Sequence, residues 1–162
     1  LPAGSLGRMR AGRGITHAEG NAASRSSGER LRVIQMWVAP HADGLEPDQV
    51  ERDFTAELAA GEPVVVASGR AEHAGSTALD IANRFAALHL ATPPAGRTIT
   101  LPAAPFGHLY LVRGAVTVDG AGETAELAPG DALRTVDTGP LTVTASEDAE
   151  LVFWEMHASF DV

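Results

Sequence analysis

The chain has no cysteine and no lysine among its 162 residues, a single tyrosine, and only 5% aromatic side chains. Without cysteine there is neither a disulfide framework nor a thiolate metal site. All twelve cations are arginine, set against 21 acidic residues for a net charge of −9. That balance argues against binding to a phosphate backbone. No apolar run reaches the roughly 18 residues of a membrane span, and no secretory signal is visible. Neither nucleic acid nor membrane is therefore expected as a partner, and the expected location is cytoplasmic. The pattern Gly-x-Ser-x-Gly of a nucleophile elbow is missing. The absence of lysine also removes any phosphate loop of the GK[ST] type.

What is present begins near the start, at Ala11-Gly-Arg-Gly-Ile-Thr-His-Ala-Glu-Gly-Asn21. Gly12 and Gly14 predict a turn with positive φ or close backbone approach. His17 and Glu19 follow two residues apart. On a strand, residues i and i+2 share a face, so the pair would point into one space. Imidazole plus carboxylate suits Fe, Mn, Ni, Cu or Zn without selecting one. Two protein donors alone hold a transition metal weakly. Arg8, Arg10 and Arg13 read as ordinary solvated charge.

Further along, 21–30 is small and polar and reads as a loop. Leu31–Val38 predicts a strand in which Gln35 and Trp37 share one face, with Trp37 expected in the core. In 41–61, Val50, Phe54 and Leu58 fall at i, i+4 and i+8 and predict a helix that Gly61 ends. Beyond Glu62, short β-like runs alternate with turn signals every eight to twelve residues: 64–68, 78–82, 85–91, 97–101, 108–112, 115–118, 124–127, 132–136, 141–145 and 150–156. This spacing predicts an all-β sandwich or barrel. His73, His89, His108 and His157 are scattered, with no clamp spacing, and structural or surface roles are expected for them. His41 stands in a loop without a partner.

Three segments carry a resemblance. His108-Leu-Tyr-Leu-Val-Arg-Gly114, Val116-Thr-Val-Asp-Gly120 and Leu127-Ala-Pro-Gly-Asp131 resemble the core hairpins of a cupin, a double-stranded β-helix or jelly-roll barrel. Arg8 to Glu19 is similar to the metal-proximal signature of the pirin family. Val33-Ile-Gln-Met-Trp-Val38 and the closing Ala149 to His157 resemble later parts of the same family. The resemblance implies a bicupin in which three His and one Glu hold a metal, usually iron, in the first barrel. His17 and Glu19 match the later two ligands, and the earlier two are expected upstream of Leu1. The chain then reads as a truncated bicupin. Residues 1–61 would be the remainder of the first barrel plus a connector, and 62–162 a second, metal-free barrel. Its ligand-equivalent positions fall at Leu101, Ala103, Gly107 and Leu141.

The activity implied by the resemblance is that of a quercetin 2,3-dioxygenase, with a flavonoid-like substrate and dioxygen. Glu19 would ligate the metal and accept the flavonol hydroxyl proton. A non-enzymatic binding or regulatory module, or an inactive gene fragment, is the alternative. Gly20 and the Asp48-Gln49-Val50 segment stand where the family often has aromatics. Unpaired edges around Ile15, Val33 and Trp37 are expected to drive self-association.

Overall fold

The computed structural model describes residues 4–24 and 26–158. From Val64 onward the alternation of apolar and polar residues is resolved into ten strands. They are β3 (Val64–Ser68), β4 (Leu79–Asp80), β5 (Ala86–Ala91), β6 (Thr98–Leu101), β7 (Phe106–Arg113), β8 (Val116–Gly120), β9 (Glu123–Leu127), β10 (Ala132–Val136), β11 (Leu141–Ala145) and β12 (Glu150–Met156). A six-stranded sheet, in the order β10-β7-β12-β5-β3-β4, faces a four-stranded one in the order β6-β11-β8-β9. The all-β, jelly-roll expectation is therefore met. The turn chemistry also fits. At the β8–β9 hairpin, Gly120 pairs with Glu123, and both intervening residues have positive φ, 52° at Ala121 and 82° at Gly122. That is the two-residue turn whose twist matches the flanking strands.

Side-chain alternation divides the apolar residues between two cores. Leu109, Leu111, Val118, Leu141, Val143, Leu151 and Phe153 pack between the sheets and fill the barrel. Leu88 and Val152, pointing the other way from β5 and β12, join Val66, Phe54 and Leu58 in a second cluster on the outer face. Phe54 and Leu58 come from residues ahead of the barrel. Phe54 is fully buried, with the Arg52 guanidinium 4.8 Å above its ring.

That segment departs from the predicted helix. Residues Asp48–Asp53 form a strand, β2, and only Thr55–Leu58 is helical (α1). The competing interaction is a ladder with β1 (Ser5–Arg10), running from Ser5 opposite Asp53 to Arg10 opposite Asp48. Six paired residues and their ion pairs outweigh a weak helical periodicity, as tertiary context commonly does. The strand expected at Leu31–Val38 is also not formed: 29–40 carries no regular structure. A strand needs a neighbour for its N–H and C=O groups, and none of the described strands pairs with this segment. Among the described residues no helix is long and apolar enough to cross a membrane.

Candidate functional site

The turn ahead of His17 is built as its glycines require. Gly12 has φ 54°, and a Cβ there would lie 2.1 Å from the Leu45 carbonyl oxygen. That close approach lets the Arg13 amide donate to the Leu45 carbonyl at 3.0 Å, while Gly14 N–H closes onto the Ala11 carbonyl at 2.9 Å. The three arginines are not free charges. Arg8 reaches Asp48 at 2.6 Å, Arg10 the same carboxylate at 3.3 Å, and Arg13 reaches Glu46 at 2.6 Å. They fasten β1 to β2 and its approach. The hydrogen bond from Arg8 is the main reason the Asp48 carboxyl sits below its ordinary pKa.

Beyond this turn His17 and Glu19 lie in exposed chain without strand pairing. The i, i+2 strand argument therefore does not apply here, because no partner strand orients them. Their side chains nevertheless approach, with His17 Nδ1 3.8 Å from Glu19 Oε1. Adjacent donors about 2.1 Å from one tetrahedral or octahedral ion stand roughly 3.0–3.4 Å apart, somewhat closer than this pair. It does not complete a coordination shell: among the described residues no three His, Cys, Asp or Glu side chains form a metal-holding group. In the barrel, Leu101 and Leu141 face each other across the β6–β11 ladder and are fully buried. Gly107 packs against Phe153, and Ala103 is exposed.

A second feature lies where 33–36 crosses the outer face of the six-stranded sheet. Val33, Ile34, Gln35 and Met36 roof a groove of about 360 Å³ floored by His108, Tyr110, Val152 and Trp154. The floor follows from strand register, since Val152 pairs with Tyr110 and Trp154 with His108. Trp154 Nε1 donates to Met36 Sδ at 3.3 Å. Burial, with help from Arg134, pushes the His108 imidazole below its ordinary pKa. Trp37 is not a core residue: it is 84% exposed, in a strip that also exposes Ile15, Leu31 and Val33.

The third feature escaped the sequence reading entirely. Glu155 and His89, assigned respectively no role and a structural one, meet at the end of the second barrel. Both are buried. His89 Nε2 lies 2.7 Å from Glu155 Oε2, and His157 Nε2 lies 2.8 Å from Oε1. Arg70 pairs with the same carboxylate. His73 stands edge-on to His89 with ring centroids 6.4 Å apart and shares a 2.8 Å hydrogen bond between its Nδ1 and Ser68 Oγ. Burial first, then His73 and Arg70, push the His89 imidazole down to about 4. Burial and Arg70 lower His157 in the same direction, against a smaller opposing effect of Glu72. The signal was available in the alternation: His89 shares the inward face of β5 with Ala91, and Glu155 that of β12 with Leu151 and Phe153. Polar residues at those inward positions need partners.

Comparison with known proteins gives the chain its relatives. Residues 65–156 match the family model described as the quercetinase C-terminal cupin domain. The chain is 40% identical over 151 residues to the Mycobacterium tuberculosis protein named "Putative quercetin 2,3-dioxygenase Rv0181c", which covers 93% of this chain and 59% of that protein. It is 33% identical over 150 residues to a pirin-like protein of Caulobacter vibrioides, covering 93% of this chain and 61% of that one. The crystal structure of YhhW from Escherichia coli superposes with a TM-score of 0.79 at 26% identity, over 98% of this chain and 64% of that one. A structure of the bacterial pirin YhhW in complex with nickel(II) gives 0.81 at 24% identity, over the same shares. The chain thus spans about 60% of the length of these relatives. Matched over more than half its length by a pirin-type cupin domain, and over nearly all of it by pirin-like proteins, the chain belongs to the pirin family.

Proposed function

We propose that the chain is part of a metal-dependent dioxygenase of the quercetin 2,3-dioxygenase type, in which His17 and Glu19 are two of the metal's ligands. The observation that carries this reading is the approach of those two side chains just after the Gly12 turn, in a chain whose relatives bear that enzyme's name. The remaining donors are not among the described residues. Residues 1–61 belong in this reading to the metal-bearing cupin unit, and 62–162 form the second unit that supports it. The metal is divalent, with Fe first and Mn, Ni, Cu or Zn compatible with the same donors. When bound, it polarises the substrate oxygens that it touches. Glu19, 55% exposed at its side chain, is open to solvent and takes the proton of the flavonol 3-hydroxyl.

The assay is aerobic incubation with quercetin in the presence of excess Fe(II), Mn(II) or Ni(II), following loss of the flavonol's visible absorption. The excess compensates for the weak hold of two donors. Turnover that His17→Ala abolishes supports the reading; turnover that survives His17→Ala undiminished refutes it. A second reading, a binding module without catalysis, is favoured by the groove under Val33–Met36. Flavonol binding without consumption under every metal condition would select it.

A further inference from the structure

The cluster around Glu155 draws on three separate pieces of chain: Ser68 at the end of β3 with Arg70 and the 3-10 turn Ala71–His73 after it, His89 on β5, and Glu155 on β12 with His157 just beyond. Both carboxylate oxygens are in use. Oε2 accepts from His89, and Oε1 accepts from His157 and Arg70. Arg70 stands between two carboxylates, the buried Glu155 and the exposed Glu72, with the imidazoles as neutral Nε2–H donors to Glu155. A proton added to His89 or His157 would place a second cation beside the Arg70 guanidinium, in a space that Phe153 closes off at 5.9 Å from the His89 ring. The proton would add to Nδ1, because Nε2 already carries the hydrogen given to Glu155, so it brings charge without a new bond to that carboxylate.

The pieces differ in how firmly they are held. β5 and β12 are interior strands of the six-stranded sheet, each paired on both sides. The turn is held by its own short bonds, His73 N–H to Arg70 at 3.1 Å and Ser76 N–H to His73 at 3.0 Å. Its attachments to the rest are Arg70 on Glu155, His73 and the Arg70 amide on Ser68, the Gly69 amide on the Ala86 carbonyl at 3.2 Å, and Arg52 donating to the Thr77 carbonyl at 2.6 Å. Repulsion within the cluster will therefore move the turn and not the strands. The other charged or titratable groups on these elements are Glu72, which takes Arg70 Nη2 at 2.9 Å and lies 3.7 Å from His73 Nε2, Asp80 of β4, exposed beside Ser68 in the ladder, and Glu150 at the far end of β12, paired with Arg32. β7 offers only Gly107 against Phe153.

We propose that Glu155, Arg70, His89 and His157 form an acid-released latch, which holds the turn around Ala71–His73 across the end of the second barrel and frees it when the imidazoles take up protons. Release uncovers the barrel end at His89 and Phe153. The latch is independent of the His17–Glu19 pair and of any metal there, so its failure would leave the proposed activity untouched.

The test is hydrogen exchange on the whole chain between about pH 7 and about pH 4, the value to which burial pushes His89, corrected for intrinsic rates. Amides of 69–78 are expected to lose protection by at least about tenfold, the factor that one pKa unit of differential protonation carries. Those of β5 and β12 should lose less, no more than the fall in global stability over the same pH range accounts for. The double variant His89→Gln, His157→Gln replaces each Nε2–H with an untitratable amide donor, and should hold the turn shut across the range. Loss of equal size in turn and strands, no loss at all, or a double variant that opens like the parent overturns the proposal. If that variant does not fold, imidazole resonances of the parent are followed by NMR. Titration of His89 accompanied by a shift of the Arg70 amide supports the latch, and titration without it refutes it.

Discussion

Phe54→Ala tests whether the first part of the chain is docked on the barrel. Phe54 is fully buried and packs in one cluster with Leu58, Val66, Leu88 and Val152. It sits between β2 and α1, ahead of the family-matched 65–156. A buried phenylalanine removes roughly 150–200 Å² from water, which at about 25 cal/mol per Å² is worth about 4–5 kcal/mol. Measured Phe→Ala costs of about 3–5 kcal/mol already include the cavity left behind. Loss of the Arg52 guanidinium over the ring adds about 0.5–1 kcal/mol. The expected loss is therefore about 4 kcal/mol, a large share of the roughly 5–15 kcal/mol that holds a domain together. In a chain of this size it corresponds to a fall in Tm of roughly 8–16 °C. Urea unfolding at neutral pH, read by far-UV circular dichroism, measures it. Phe54→Leu should cost well under half as much. A loss below about 1 kcal/mol for Phe54→Ala would show that β2 and α1 are not packed on the six-stranded sheet, and would refute the arrangement of the two cores.

Other outcomes follow from the same geometry. His89 is held near 4 in the fold and returns to about 6.5 when unfolded, so the unfolded chain binds the extra proton first. Stability is thus constant above about pH 6.5 and falls as pH drops toward 4, by about 2 kcal/mol at about pH 5 and about 3 kcal/mol at the full shift. Urea midpoints across that range should show the slope, and His89→Gln should flatten it; an unchanged slope in the variant contradicts the assignment. Gly12→Ala forces a Cβ against the Leu45 carbonyl at positive φ, costs at least about 1–2 kcal/mol locally, and should raise hydrogen exchange in β1 and β2 while β7 and β12 stay protected. Trp37→Ser, at a position 84% exposed, should leave stability within about 0.5 kcal/mol. It should also lower self-association measured by sedimentation velocity. If association is unchanged, the exposed strip is not the surface that drives it.

The barrel was legible because its signals are local. Strands β3, β10, β11 and β12 coincide with the runs 64–68, 132–136, 141–145 and 150–156, where alternation and flanking turn residues agree. Gly12 was also readable, since a glycine in that turn implies the close approach it makes to Leu45. What was not legible depends on partners distant in sequence. Val33-Ile-Gln-Met-Trp-Val38 has strand composition, yet composition cannot supply a neighbouring ladder. Val50, Phe54 and Leu58 have helical spacing, but Arg8 and Arg10 draw Asp48 into a strand pair forty and thirty-eight residues away. The Glu155 cluster was hidden for the same reason. Arg70, His89 and Glu155 have no motif spacing; the β5–β12 register brings His89 and Glu155 together, and Arg70 reaches them from the turn after β3. His17 and Glu19 were singled out by their two-residue spacing together with the family resemblance of the residues around them. The structure brings them to 3.8 Å by local chain geometry and not by the shared strand face that the spacing suggested.

Metal retention by the purified chain is the most direct test of the proposed site. The chain is stripped with chelator, loaded separately with Fe(II), Mn(II) and Ni(II), and measured by mass spectrometry for metal content before and after desalting. Two donors without a third among the described residues predict weak binding that desalting removes and that His17→Ala and Glu19→Gln each reduce. One equivalent of metal per chain surviving desalting, or binding indifferent to both substitutions, would contradict the account.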